Sequence, residues 1–203
     1  MLEIAVLVIV AVVVAWLVLY MRAQKPVTTA QQLIQLNRYE EAAAIDATDS
    51  SAHLHRAEAL KLMGKFEEAM AEYKRSNDPA AQEGIALSLA HLNRDLDDAQ
   101  QMMENTINLY PQIQEFQALG LAYIELRRGD RDAALRVYRD NAELLETRFR
   151  DDYTDPDPLL AETLAMYAAL ADAAGEIFRA AELRTKAAEW APRSVWSQRS
   201  ANR

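Results

Sequence analysis

A short phrase recurs five times along this chain, and it limits the folds open to it more than any other feature. A turn-forming position is followed by bulky or acidic residues and then by alanine. It reads Asn37-Arg38-Tyr39-Glu40-Glu41-Ala42, Gly64-Lys65-Phe66-Glu67-Glu68-Ala69 and Arg94-Asp95-Leu96-Asp97-Asp98-Ala99. It returns as Gly129-Asp130-Arg131-Asp132-Ala133-Ala134 and Gly175-Glu176-Ile177-Phe178-Arg179-Ala180. Gly or Asn ends one helix in a left-handed turn, and acids then favour the first turn of the next helix through its dipole. The alanine marks a place where two helices touch. Helical periodicity precedes the phrases, as in Leu54, Ala57, Leu60 and Leu62, or Phe116, Leu119, Gly120 and Tyr123. Each unit therefore reads as a helix hairpin, and a composition rich in Ala, Leu, Glu, Gln, Arg and Met with only 5 Gly agrees with an all-α chain.

The phrases carry a resemblance to the tetratricopeptide repeat family. Phe116, Leu119, Gly120, Ala122, Tyr123, Gly129, Ala134 and Tyr138 follow that family's aromatic, Leu-Gly, Ala-Tyr, Gly, Ala, aromatic order, with two residues inserted before Gly129. The last unit keeps the spacing through Leu164, Ala168, Ala171, Gly175, Ala180, Ala187 and Pro192, and Asn108-Leu109-Tyr110-Pro111 closes the third in the same way. Successive phrase alanines lie 27, 30, 35 and 46 residues apart, against a family period of about 34. The short first interval predicts a clipped second helix between Tyr39 and Asp46. The long last one predicts an extended helix near Arg131–Arg148 followed by a linker. The resemblance implies an α-solenoid of about five hairpins over residues 23–192. It also implies that the first helix of each hairpin lines a concave groove. Stepping along those helices gives Leu54, His55, Glu58 and Lys61 in the second unit, and Gln114, Gln117, Leu121, Ile124 and Glu125 in the fourth, as groove candidates for a helical or extended peptide.

Ahead of the repeats, residues 1–22 hold an apolar run of 17 residues from Ile4 to Tyr20. At about 1.5 Å per helical residue it reaches roughly 26 Å, near the lower limit for a single transmembrane helix. A cleaved signal peptide would need a basic start and small residues at its end; Glu3 precedes the run, and Trp16, Leu17, Tyr20 and Met21 stand where small residues belong. Trp16 and Tyr20 suit the interfacial belt. Arg22 and Lys25 follow the span with no basic side chain before it, which favours a cytoplasmic array at a bacterial inner membrane, the periplasmic side being the alternative.

The 31 acidic residues outnumber the 22 basic ones, a net charge of −9, and only Glu3 among them precedes residue 22. Such a surface repels phosphate backbones and excludes nucleic acid as an expected partner. Absence of Cys removes disulfides and thiolate chemistry. His53 and His55 point to different sides of a helix, and the run Asp151-Asp152-Tyr153-Thr154-Asp155-Pro156-Asp157-Pro158 lacks the Gly and closing Glu of a calcium loop, so no metal is expected. Asp157-Pro158 reads instead as a helix cap followed by a first-turn proline. No phosphate-binding, dinucleotide or hydrolase motif is present, so no cofactor, no catalytic residue and no enzyme is expected.

The tail, residues 193–203, has three Arg and no acid. It is too short for a full capping helix, and Trp196 has two readings: folded back over the end of the last hairpin, or docked on a partner. The functional expectation is a membrane-anchored scaffold or adaptor that binds protein partners in or at the same membrane. An extracytoplasmic chaperone or biogenesis factor and a structural accessory subunit of a membrane complex are the alternatives, and a degenerate array suits homo-oligomers as well as foreign ligands.

Overall fold

The computed structural model describes residues 29–107 and 113–201, and every regular element among them is helical. The apolar run 4–20, its flanking Arg22 and Lys25, and the segment 108–111 lie outside the described residues. Among those described, no helix is long and apolar enough to cross a membrane.

Five hairpins follow in order among the described residues. They are α1 (Ala30–Gln35) with α2 (Tyr39–Ala43), α3 (Ser50–Leu62) with α4 (Phe66–Tyr73), and α5 (Ala80–Leu92) with α6 (Leu96–Ile107). Then come α7 (Gln114–Arg128) with α8 (Arg131–Thr147), and α9 (Ala161–Ala174) with α10 (Ile177–Trp190). A π-helical turn, Arg148–Asp152, and a 3-10 turn, Pro158–Leu160, lead from the fourth hairpin to the fifth, and α11 (Val195–Ala201) ends the description. The clipped second helix of the first unit is α2, with 5 residues, and the extended one is α8, with 17.

Each hairpin turn is built from the same hydrogen bonds. The N–H groups of Asn37, Gly64, Asn93, Gly129 and Gly175 donate to the carbonyl three residues back, and the N–H of the next residue reaches five residues back. This pair satisfies the last carbonyls of the first helix and requires a left-handed turn residue. The φ angles there are 57°, 76°, 54°, 91° and 86° in chain order. The phrase alanines Ala42, Ala69, Ala99, Ala134 and Ala180 then close the first turn of the second helix onto Arg38, Lys65, Asp95, Asp130 and Glu176. All five are 0% exposed, because a larger side chain would hold the two helices apart. The third phrase departs from the expected register. Its turn residue is Asn93 rather than Arg94, and Asp95, with φ 47°, absorbs the extra residue.

The first helices α3, α5, α7 and α9 touch in succession and form an inner layer, while each second helix packs on its own partner and on the next first helix. Thr29 opens the array with a reciprocal cap, its hydroxyl accepting from Gln32 N–H at 3.2 Å and the Gln32 amide oxygen accepting from Thr29 N–H at 2.9 Å. Asp157 caps the turn into the last hairpin by accepting from Leu159 N–H at 3.0 Å, with Pro158 in the first position, as the sequence predicts. The stack bends back on itself: Gln35 of α1 donates to Asp157 at 3.1 Å, and Lys61 of α3 meets Glu162 of α9 at 2.7 Å.

Candidate functional site

The bend brings inner-layer side chains from four hairpins to one point. Lys61, near the end of α3, places Nζ 2.7 Å from Glu162 and 3.1 Å from Glu58. His91, near the end of α5, pairs through Nε2 with the other Glu162 oxygen at 2.7 Å, and its Nδ1 lies 3.2 Å from the Tyr123 hydroxyl of α7. Tyr73 donates to Glu58 at 2.5 Å, and the Lys61 ammonium stands 5.8 Å from the Tyr73 ring centroid. Glu83 of α5 accepts from Gln117 of α7 at 3.4 Å.

Lys61 and Glu162 are both buried, so each charge depends on the other. Burial pushes the Glu162 carboxyl upward, but the Lys61 ammonium and the His91 hydrogen bond outweigh it and hold the group down at about 2. Burial works against the Lys61 ammonium, yet the Glu162 and Glu58 carboxylates keep it well above the ordinary lysine range. One shift is downward and the other upward, and both favour the charged form, as expected for an ion pair shielded from water. Burial raises Glu83 above the usual carboxylate range, partly countered by Lys61. Burial likewise raises the Tyr73 hydroxyl, which therefore stays a donor to Glu58. These groups satisfy one another, and their chemistry is to fix the curvature and hold the His91 ring in one orientation.

The tail lies against that imidazole, whose side chain is buried. Trp196 is 3% exposed, with its ring centroid 4.7 Å from His91 and 6.2 Å from Phe66. Phe66 itself stacks on His91 at 5.0 Å. The tail thus folds back against both helices of the last hairpin, and from there Val195 and Trp196 also reach the inner wall at the second and third. It does so as helix α11 rather than as an irregular segment.

The structure divides the groove candidates. Lys61 and Glu58 belong to the buried polar centre. Gln117 and Ile124 have no exposed surface and serve packing between α7 and its neighbours, while Glu125 is buried and pairs with Arg128 at 3.3 Å. Leu54, His55 and Leu121 are half-buried and Gln114 is exposed, with Leu54 and Leu121 packed against the edge of the core. His91, Glu162, Tyr123 and Phe66 are absent from the sequence-based set. His91 lies among the apolar residues of α5 like any helix residue, and its partner Glu162 is 71 positions away. Only the curvature of the array, which no local pattern encodes, brings them together.

Among the described residues no cluster of metal-ligating side chains forms, and His53 pairs instead with Glu72 at 2.7 Å. A cavity of ≈ 430 Å³ between α2 and the second hairpin is lined by Arg56, Leu60, Met63, Lys65, Glu68 and Glu72. Its charges already answer one another through Arg56–Glu72 and Lys65–Glu68, both at 3.9 Å. Compared with known proteins, the sequence matches no family model and no curated protein.

Proposed function

We propose that this chain is a membrane-anchored protein-interaction scaffold, an array of the tetratricopeptide kind tethered by the apolar run 4–20, which binds partners in or at the same membrane and catalyses no reaction. The observation that carries this reading is that the inner wall already holds a short helical segment, α11, by side chains drawn from separate hairpins. A surface assembled in this way recognises a segment of chain rather than a small molecule, since its contacts are spread along stacked units. Tethering raises the local concentration of partners in the same bilayer, so modest affinity suffices. Arg22 and Lys25 after the run favour a cytoplasmic array at a bacterial inner membrane.

A second reading, an accessory subunit held by its outer surface, draws on Ile177 and Phe178, which are 69% and 94% exposed side by side at the start of α10. Gentle-detergent purification of the full chain from its native membrane, followed by mass spectrometry, tests both. Near-equal amounts of other membrane proteins are expected; recovery of the chain alone overturns the scaffold reading. If the recovered partners are lost on Phe178→Ser but survive substitutions at Leu54 and Leu121, the accessory reading replaces the groove reading. Protease added to sealed spheroplasts should leave the array intact, and its digestion from outside would place it on the periplasmic side.

A further inference from the structure

We infer that the wall formed by Gly64, Phe66 and His91 is a recognition site for a partner segment carrying an aliphatic–tryptophan pair among basic residues, and that Val195 and Trp196 of this chain occupy it in cis. The inference rests on the scaffold reading and names both its ligand chemistry and its control.

Three observations carry it. The first is that α11 has only 7 residues. A helix so short does not persist in water without tertiary contacts, so docking is what creates it. The second is which side chains of α11 meet the inner wall. Val195 lies against Gly64, where an added Cβ would come within 3.1 Å of Val195 Cγ2, and Trp196 lies on His91 and Phe66. Ser197 is half-buried and Gln198 exposed, so among residues 195–198 it is the Val195–Trp196 pair that reaches this wall, while the backbone of α11 packs on α10 and α9. The third is that the wall is rigid beneath the tail. Glu162 and Tyr123 fix the imidazole at 2.7 and 3.2 Å, so its ring face is presented in one orientation whichever indole lies on it.

The connection suits release. α10 ends at Trp190, itself buried, and Pro192 and Arg193 are exposed. The buried Ser194 donates its hydroxyl back to the Ala191 carbonyl at 2.7 Å, so a turn separates the two helices. Lifting α11 about that turn leaves the five hairpins with their own hydrogen bonds. Charge fixes the class of ligand. Residues 193–203 hold three Arg and no acid, in a chain whose net charge is −9, so a basic segment is the one this array attracts.

The test uses the full chain in detergent with Trp196→Ala, which removes the resident ring but leaves the wall intact. The probe is a fluorescent synthetic peptide of residues 191–203. Binding to the Trp196→Ala chain is expected to be saturable and about tenfold or more tighter than to the wild type, whose site is filled. It should disappear when the peptide's own tryptophan is replaced by alanine. Equal binding to both chains, or none to a Trp196→Ala chain of unchanged helicity, overturns the inference. If that variant does not fold, hydrogen exchange on the wild type decides. The amides of α11 should exchange about a hundredfold faster than those of α9, as a locally opening segment does. Exchange of both at one rate would make α11 a permanent cap and overturn the proposal. A wild-type dimer that the peptide dissolves would overturn the assignment to a foreign partner and give the site to a second copy. Failure here with partners still recovered from the membrane leaves the scaffold reading standing; peptide binding without recovered partners does the reverse.

Discussion

Position 84 has no room for a methyl group: a Cβ there would lie 2.2 Å from Tyr73 Cζ. The obstacle is the body of a fully buried ring whose hydroxyl is tied to Glu58, so relief requires α4 and α5 to move apart. Gly84→Ala should cost at least about 2 kcal/mol in urea unfolding, the overpacking range. At Gly120 the nearest obstacle is the Met103 methyl at 2.8 Å, the far end of a flexible side chain that can turn away. Gly120→Ala should therefore cost less than Gly84→Ala, and the reverse order would refute this account of the packing.

The Glu162 carboxyl ties stability to pH. Its folded pKa, about 2, lies below its ordinary 4.5, so its contribution is complete above 4.5 and is lost as pH falls through about 2. Lys61 is raised above 10.5, so its share is complete below that value and is lost only as pH rises beyond it. Glu162→Gln leaves the Lys61 ammonium with Glu58 as its remaining carboxylate and should destabilise the chain by up to about 3 kcal/mol at neutral pH. It should also flatten the acid side of the stability profile between pH 4.5 and 2. Parallel profiles for the two proteins would show that the ion pair does not set acid sensitivity.

The helices are legible in the sequence because their start and stop signals are local. Gly64, Gly129 and Gly175 announce left-handed turns by having no side chain, and the alanine five residues later announces a close helix contact. Asn93 is less legible, since the phrase aligns on Arg94 and only backbone geometry shows the extra residue taken up at Asp95. The candidate site is legible only in part. Lys61 lies on the expected face of α3, but its partner Glu162 begins a helix three hairpins further on. α11 could not be read at all, because seven residues with one Val and one Trp carry no periodic signal. At this scale α10 makes a prediction. Ile177 holds the phrase position that Tyr39 and Phe66 fill in the first two hairpins, yet those two are buried while Ile177 and its neighbour Phe178 face water. Phe178→Ser should change thermal stability by no more than about 0.5 kcal/mol. A larger loss would mean that the side chain packs within the molecule.

The whole array differs energetically from an open solenoid. Where each repeat touches only its neighbours, stability is a sum of nearest-neighbour terms, and end units melt before middle ones. Here Lys61–Glu162 joins the second hairpin to the fifth, His91–Glu162 joins the third to the fifth, and Gln35–Asp157 ties the first to the turn before the fifth. Opening the last hairpin therefore takes Glu162 from Lys61 and leaves Glu58 as its carboxylate partner, a cost that falls on α3 as well as on α9. Terminal and central units should in consequence unfold together. Peptide-resolved hydrogen exchange under increasing urea should give α3, α5 and α9 one shared opening free energy. Glu162→Gln removes the charge that binds them, so in that variant α9 and α10 should open ahead of α5. Separate openings in the wild type would mean that the closing contacts add no cooperativity, and that the stack behaves as the open array its phrases alone describe.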